Sequence, residues 1–364
     1  WCDAALALAP DAPALKIVHH PDAVLVNHAG FSRLAGKRCY RHGDTVKPFK
    51  VVDPATGRTA FTGRMLPFDG DFGRYLIGDF TSFRDPGRYL IESDGLQSVA
   101  FEIGDSVYPN ALQKHLTYLK LQRSGHPTEG WRPGQHLDDG KRQDTGEHQD
   151  VTGGWYDAND VRKPAKGNAL LLYALARVSE QDLDAVSGEA LFDEVRWGNQ
   201  FLLAMQEPEG YLMHYIGSTW EGYRDNVWTD NRIGTEDDRT IITRPADTNS
   251  HLAFVTANAI VARRFRETDP SYVEQCLEAA RRAWQWVLEQ EAIGDPEDLG
   301  LAVSAAVALH RSTGEASFEK QAEAYAKRLL DRQTRDDEPV NGYFFQWEND
   351  GPREAGLAVA GLFD

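Results

Sequence analysis

The sequence predicts a multidomain chain: an N-terminal all-β sandwich of immunoglobulin-like type, followed by an all-α domain of paired helices. Three observations predict it. Short β-branched or aromatic runs recur through roughly the first hundred residues, separated by turn signals. After Pro109 the apolar period becomes that of a helix. A polar turn then repeats between helical stretches. The length, 364 residues, also exceeds what one ordinary domain needs.

The strand runs are Val24-Leu25-Val26-Asn27, Phe49-Lys50-Val51-Val52, Thr59-Ala60-Phe61-Thr62, Arg74-Tyr75-Leu76-Ile77, Arg88-Tyr89-Leu90-Ile91 and Val99-Ala100-Phe101-Glu102. Between them lie Asp53-Pro54 with Gly57, Asp69-Gly70, Asp85-Pro86-Gly87 and Asp94-Gly95. About seven short strands at this spacing indicate the sandwich. Cys2, Cys39 and Cys276 match neither a disulfide framework nor a zinc motif, so packing alone must hold the core. Cys276 lies on an apolar helical stripe and reads as a small core residue.

In the second half, Leu112, Leu116 and Leu119 fall at helical spacing, with Gly125 as a stop. The segment from His126 to Asp150 carries too many Gly, Asp and Gln for a buried element. Further on, Val273, Leu277, Ala280, Trp284 and Val287 trace one helical stripe, and Phe318, Ala322, Tyr325 and Leu329 another. Arg266 to Tyr272 and Arg311 to Phe318 both run helix, polar turn, Ser plus aromatic, helix. Such hairpins stack as an open solenoid or close into a ring whose loops surround a central cleft.

A hydrophobic share of 41% and an aromatic share of 10% support packed cores and exclude disorder. The formal net charge of −17 argues against nucleic acid or anionic lipid as a partner, since both need a basic face. No apolar run reaches transmembrane length, so no membrane partner is expected. The start, Trp1-Cys2-Asp3-Ala4, lacks the layout of a signal peptide and reads as a processed or trimmed end, which leaves localisation open.

The segment with most chemistry is Gly153-Gly154-Trp155-Tyr156-Asp157-Ala158-Asn159-Asp160. Glycines permit tight turns, aromatic faces suit the apolar faces of sugars, and paired carboxylates suit activation of water at an acetal carbon. The competing reading is a surface turn in which Asp157 and Asp160 cap a following helix.

Taken in order along the chain, several segments make the sequence similar to glycoside hydrolase family 9, in the subgroup with an immunoglobulin-like domain before an (α/α)6 barrel. They are Val24 to Phe31, Val51-Val52-Asp53 with Thr56-Gly57, and Asp71 to Tyr75 in the sandwich. In the helical part they are His136-Leu137-Asp138-Asp139-Gly140, Asp150 to Asp160, Asp237-Asp238-Arg239, Pro245-Ala246-Asp247 and Thr313-Gly314. The resemblance implies a sandwich over 1–107 and a barrel over 108–364. It implies hydrolysis of β-1,4-linked glucan (cellulose, cello-oligosaccharides or mixed-linkage glucan) with inversion, which needs two carboxyl groups about 6.5–9.5 Å apart. It makes Asp160 the general base and Asp157 a second holder of the water. Trp155, Tyr156 and Asn159 become substrate-binding candidates.

No organic cofactor is implied. Structural calcium is, with Asp237 and Asp238 as candidate ligands beside Glu236; the competing reading of these residues is an acidic loop turn with helix-capping duty. A cysteine-type zinc site is rejected, because Ser124 to His136 holds no cysteine. His126, His136 and His148 read as solvated loop residues. Trp131, Trp220, Trp228 and Trp347 are candidate sugar platforms.

The chain also departs from the family. Asn159 stands where Gly is usual. About eight helices can be read where twelve are expected, and no segment before Asp364 matches that of the family's acidic Glu. Glu348 and Glu354 lie in no matching motif. The barrel is therefore expected to be incomplete at its C-terminus and to associate with a missing C-terminal portion. Two alternatives stay open: a non-catalytic glycan-binding or scaffold protein on a degenerate barrel, and an exo-enzyme on glucosamine-containing oligosaccharides.

Overall fold

The structure, a computed structural model, describes residues 23–70, 73–127, 133–158, 161–181, 185–217 and 228–333. The chain divides into two compact units, Trp1–Gln113 and Lys114–Asp364.

The first unit is built of antiparallel strands: β1 (Arg38–His42), β2 (Lys47–Val52), β3 (Thr59–Gly70), β4 (Gly73–Asp79), β5 (Gly87–Ser93), β6 (Leu96–Gln97) and β7 (Phe101–Ile103). The order is β1-β4-β3-β2-β5-β6, with β7 paired to β5. Strand β5 serves two ladders: Leu90 to Glu92 face Val52 to Lys50, whereas Gly87 to Tyr89 face Ile103 to Phe101. That division folds the sheet around one core of Phe31, Phe49, Val51, Leu76, Phe80, Ile91 and Phe101. Phe31 meets Phe80 and Phe101 edge-on, with centroids 5.3 and 5.4 Å apart. Cys39 is a free, buried thiol in this core, and burial pushes its pKa up to about 12.

Two local readings change here. The Val24 to Asn27 run makes only a bridge from Leu25 to Tyr40, and its partner strand β1 carried no sequence signal. Arg38, Arg41 and His42 hide the alternation in β1, while Cys39 alone is fully buried. The Thr59 run extends much further than its β-branched residues, because its partner β4 carries the ladder to Gly70.

The second unit holds most of α1 (Val107–Gln122), followed by α2 (Ala165–Val178), α3 (Ala185–Ala204), α4 (Thr248–Arg264), α5 (Pro270–Glu289), α6 (Pro296–Thr313) and α7 (Ala316–Leu330). Leu116 and Leu119 of α1 are buried, and Gly125 follows at φ +81°. Helix α4 packs on α2 and α6, while α3, α5 and α7 pack behind α2, α4 and α6 respectively. Burial explains the layering. Every residue from Asn249 to Ala262 is buried, so α4 is an inner helix, whereas α5 buries one stripe around Tyr272, Cys276, Ala280 and Trp284. The repeated polar turns join inner to outer helices. In one, Asp269 caps α5 by accepting from Tyr272 N; in the other, Gly314 ends α6 at φ +77°.

This unit is not all-α, contrary to the sequence reading. Strands β8 (Lys141–Arg142), β9 (Lys163–Pro164), β10 (Met213–Ile216) and β11 (Thr240–Pro245) form a small sheet in the order β8-β11-β10-β9. Two of the strands have only two residues, too short for a period-2 pattern to be read. No helix among the described residues is long and apolar enough to cross a membrane.

Candidate active site

The Gly-Gly-Trp-Tyr-Asp string is a loop leading through β9 into the inner helix α2. Gly153 and Gly154 have φ of +89° and +72°. A Cβ on Gly154 would lie 2.6 Å from the Phe201 ring and 3.0 Å from Asn168 Oδ1, so the approach to α3 and α2 requires glycine. Asn168 of α2 then stitches the loop: its Oδ1 accepts from Trp155 N (2.8 Å), and its Nδ2 donates to the carbonyls of Trp155 (3.1 Å) and Pro164 (3.0 Å). Asp157 N donates to Arg162 O at 3.0 Å. The Asp157 carboxylate is exposed above the first turn of α2, where a Cβ on Gly167 would stand 3.5 Å from its Oδ1. A pocket of about 170 Å³ lined by Tyr118, Gln122, Tyr156, Asp157 and Asn168 opens there.

The two aromatics of the string are turned inward over most of their surface. The Trp155 indole is 2% exposed, and its Nε1 donates to Glu194 Oε2 of α3 at 3.0 Å. Gly198 makes room for it, since a Cβ there would come within 1.9 Å of the ring. Tyr156 is also buried, and its hydroxyl lies 2.7 Å from His136 Nδ1. Both residues still line the pocket beside Asp157, so their part in holding substrate stays an expectation. Asn159 and Asp160 lie outside the described residues, as do Trp131, Trp220, Trp347, Glu348 and Glu354.

His136 is fully buried, not a solvated loop residue. Trp228 stacks on it, with centroids 5.6 Å apart and planes 29° apart, and remains 50% exposed. Among the loop tryptophans within the described residues, Trp228 therefore keeps an accessible face. Asp138 and Asp139 are also fully buried, whereas Leu137 and most of 141–150 are exposed as the polar composition predicts. Pairing makes that burial tolerable.

Asp138 accepts from Thr229 Oγ1 at 2.7 Å through Oδ1, and its Oδ2 is buried with no hydrogen-bond partner among the described residues. Burial pushes its carboxyl above the ordinary value. Asp237 and Asp238 lie beside it, with one ligand oxygen of each of the three within 4.8 Å of the others. Asp237 accepts from Asp230 N (2.7 Å) and Thr235 Oγ1 (2.7 Å), and Asp238 from Gly234 N (2.7 Å). The sequence named Asp237 and Asp238; Asp138 joins them only through the fold. These oxygens could hold a hard cation.

Asp139 faces the other way, between Arg239 and Lys163. Burial alone would raise its carboxyl, but the two cations outweigh burial and hold it well below the carboxylate range. Burial lowers the Lys163 ammonium to about 8, against the opposing pull of Asp139. Asp139 and Arg239 stood in the sequence as parts of Asp-Asp and Asp-Asp-Arg strings without a role, and Lys163 carried no signal.

Residues 108–361 match the model of the family described as glycosyl hydrolase family 9, and residues 19–98 match that of the cellulase N-terminal ig-like domain. The chain is similar to a cellulose 1,4-beta-cellobiosidase of Acetivibrio thermocellus, 26% identical over an alignment of 337 residues, with 77% of this chain and 38% of that protein covered. It is similar to a cellodextrinase of Butyrivibrio fibrisolvens, 25% identical over 359 residues, 84% of this chain and 61% of that protein. The chain thus spans less than two thirds of either relative. Among solved structures, a thermostable endoglucanase from Alicyclobacillus acidocaldarius superposes with a TM-score of 0.63 at 22% identity, covering 94% of this chain and 65% of that one. At that identity the likeness concerns the fold.

Proposed function

The chain belongs to glycosyl hydrolase family 9, and from that premise we propose that it hydrolyses β-1,4-linked glucan with inversion. In this reading Asp160 is the general base and Asp157 holds the same water. The observation that carries the reading is Asp157: an exposed carboxylate on a loop whose preceding residues Trp155 and Tyr156 are buried and hydrogen-bonded, lying over the first turn of an inner helix. Two carboxylates three residues apart can orient both hydrogens of one water, and general-base removal of its proton then drives attack on the anomeric carbon. The names of the relatives, a cellobiosidase and a cellodextrinase, favour glucan over a glucosamine-containing chain and favour catalysis over a scaffold role. The helices α2 to α7 are read as part of an (α/α)6 barrel beginning at residue 108. The remaining helices and the proton-donating carboxyl are assigned to sequence outside the described residues, consistent with the fraction of each relative that the chain spans.

The test is hydrolysis of cello-oligosaccharides followed by proton NMR of the anomeric centre. Inverted product is expected, and retained configuration refutes the mechanism. Asp160→Asn should lose nearly all turnover while keeping fold and glycan affinity; wild-type turnover in that variant refutes the base assignment.

The acidic cluster is read as a structural calcium site. An all-oxygen donor set and a buried, unpaired Asp138 oxygen fit a hard divalent cation. Calcium should raise the melting temperature of chelator-treated protein, and Asp237→Asn should abolish the rise. A melting temperature indifferent to calcium removes this assignment.

A further inference from the structure

Two buried cations reach the backbone of the catalytic loop at both of its ends. Lys163 Nζ donates to the carbonyls of Val151 (2.9 Å) and Gly153 (3.0 Å), on the side where the loop begins. Arg239 donates through a terminal nitrogen to the carbonyl of Val161 at 2.6 Å, where the loop ends. Both side chains also converge on one carboxylate. Lys163 Nζ lies 2.7 Å from Asp139 Oδ2, and Arg239 grips both Asp139 oxygens in a fork, with Nε to Oδ1 at 2.7 Å. All three side chains are essentially inaccessible to water, and the face of Phe201 covers the ammonium at 4.8 Å. We propose that Lys163 and Arg239, joined by Asp139, are positioning residues that set the catalytic loop, holding the backbone on either side of Asp157.

The choice of residue types supports positioning over mere filling. A buried ion cluster is a poor way to gain stability, because well-packed apolar side chains of similar volume commonly do as well or better. Directionality is what apolar packing cannot supply. Three carbonyls are fixed in space by donors whose own positions are fixed by a shared acceptor. Among the described residues, Asp157 N to Arg162 O and Val161 N to Ala158 O, both at 3.0 Å, close the turn, and Asn168, Gln122 O and Ser124 N hold the stretch before Asp157. A water-activating carboxylate displaced by about 1 Å costs on the order of 100-fold in rate, so such a loop needs an external frame. The sheet supplies it. Thr240 pairs with Lys141 in parallel, which brings the strand after Arg239 beside the strand after Asp139.

The role in catalysis rests on the hydrolase reading above; the role in ordering the loop does not. The test uses the whole protein and two variants. Lys163→Met removes one cation at similar volume and leaves a neutral Asp139–Arg239 pair. Arg239→Lys keeps the charge but cannot reach Asp139 and Val161 together. Two measurements are made on each: hydrogen–deuterium exchange of peptides covering 151–161, and kcat and KM on a cello-oligosaccharide. Exchange in those peptides should rise at least about 10-fold while the rest of the helical unit stays protected. In active protein, kcat should fall about 100-fold with KM within about 3-fold.

Wild-type protein without glucanase activity would overturn the hydrolase reading and leave the exchange result to decide the loop's frame. Unchanged exchange, or kcat within 2-fold (roughly the scatter of such constants), overturns the proposal. So does failure of both variants to fold, or an activity loss that only follows the folded fraction, because the triad is then framework alone.

Discussion

His251 is a pH-dependent contributor to stability whose magnitude follows from its surroundings. It is fully buried on α4, stacked on Trp286 with centroids 4.4 Å apart. Its Nε2 accepts from Leu212 N at 2.9 Å, so that nitrogen carries no proton. The proton therefore sits on Nδ1 and is donated to Asp247 O, also at 2.9 Å. Protonation would set two N–H groups against each other. Burial accordingly lowers the pKa to about 4, opposed in part by the Asp247 carbonyl and carboxylate. The unfolded value is about 6.5, so the unfolded chain binds the proton first as pH falls. The sign follows: the stabilisation is fully present above about 6.5 and declines as pH falls toward 4. Between about pH 7.5 and 5 the loss is about 2 kcal/mol, at about 1.4 kcal/mol per unit below 6.5.

The wild-type stability curve by itself would mislead, because Asp298 titrates with the opposite sign over the same range. Burial, with Asp295 and Glu297 nearby, raises its carboxyl to about 8, so the folded state holds a proton that the unfolded chain has released. The informative quantity is the difference between wild type and His251→Phe, measured by urea unfolding at several pH values. At about pH 7.5 the variant should be less stable by about 2–4 kcal/mol, having left Leu212 N unpaired and Asp247 O still accepting from Ser250 N. That gap should shrink by about 2 kcal/mol at pH 5. A gap independent of pH, or one that widens on acidification, refutes the neutral tautomer argued here.

Asp298→Asn should flatten the fall in stability between about pH 4 and 8, since the raised carboxyl contributes below its folded value and is lost above it; an unchanged slope assigns the effect elsewhere. Gly154→Ala should destabilise by about 3 kcal/mol or more, because φ of +72° and a Cβ 2.6 Å from the Phe201 ring act together. Calorimetry on the variant decides it, and a shift under about 1 kcal/mol would mean that the ring yields. Asp269→Ala should cost about 1 kcal/mol through loss of the α5 cap, with a smaller further loss from the half-buried pair to Arg196. A cost near zero in denaturant titration would show the cap to be idle.

What the sequence determined by itself is local. The change of period after Pro109 marks strands before it and helices after it, since alternation and helical stripes are written in neighbouring residues. The same holds for the capped turn at Asp269 and the Gly314 stop, and for the acidic string that carries Asp157. Tertiary structure decided everything that depends on which distant groups meet. Arg239 reaches Asp139 across 100 positions, and Asp138 meets Asp237 and Asp238 only because β8 and β11 run side by side. The packing of Trp155 against Gly198 and of the Tyr156 hydroxyl against His136 is likewise decided by the fold. The physical reason is the same in each case. A charged or aromatic side chain is buried or exposed according to the partner that compensates its loss of water, and no local pattern in the chain specifies that partner.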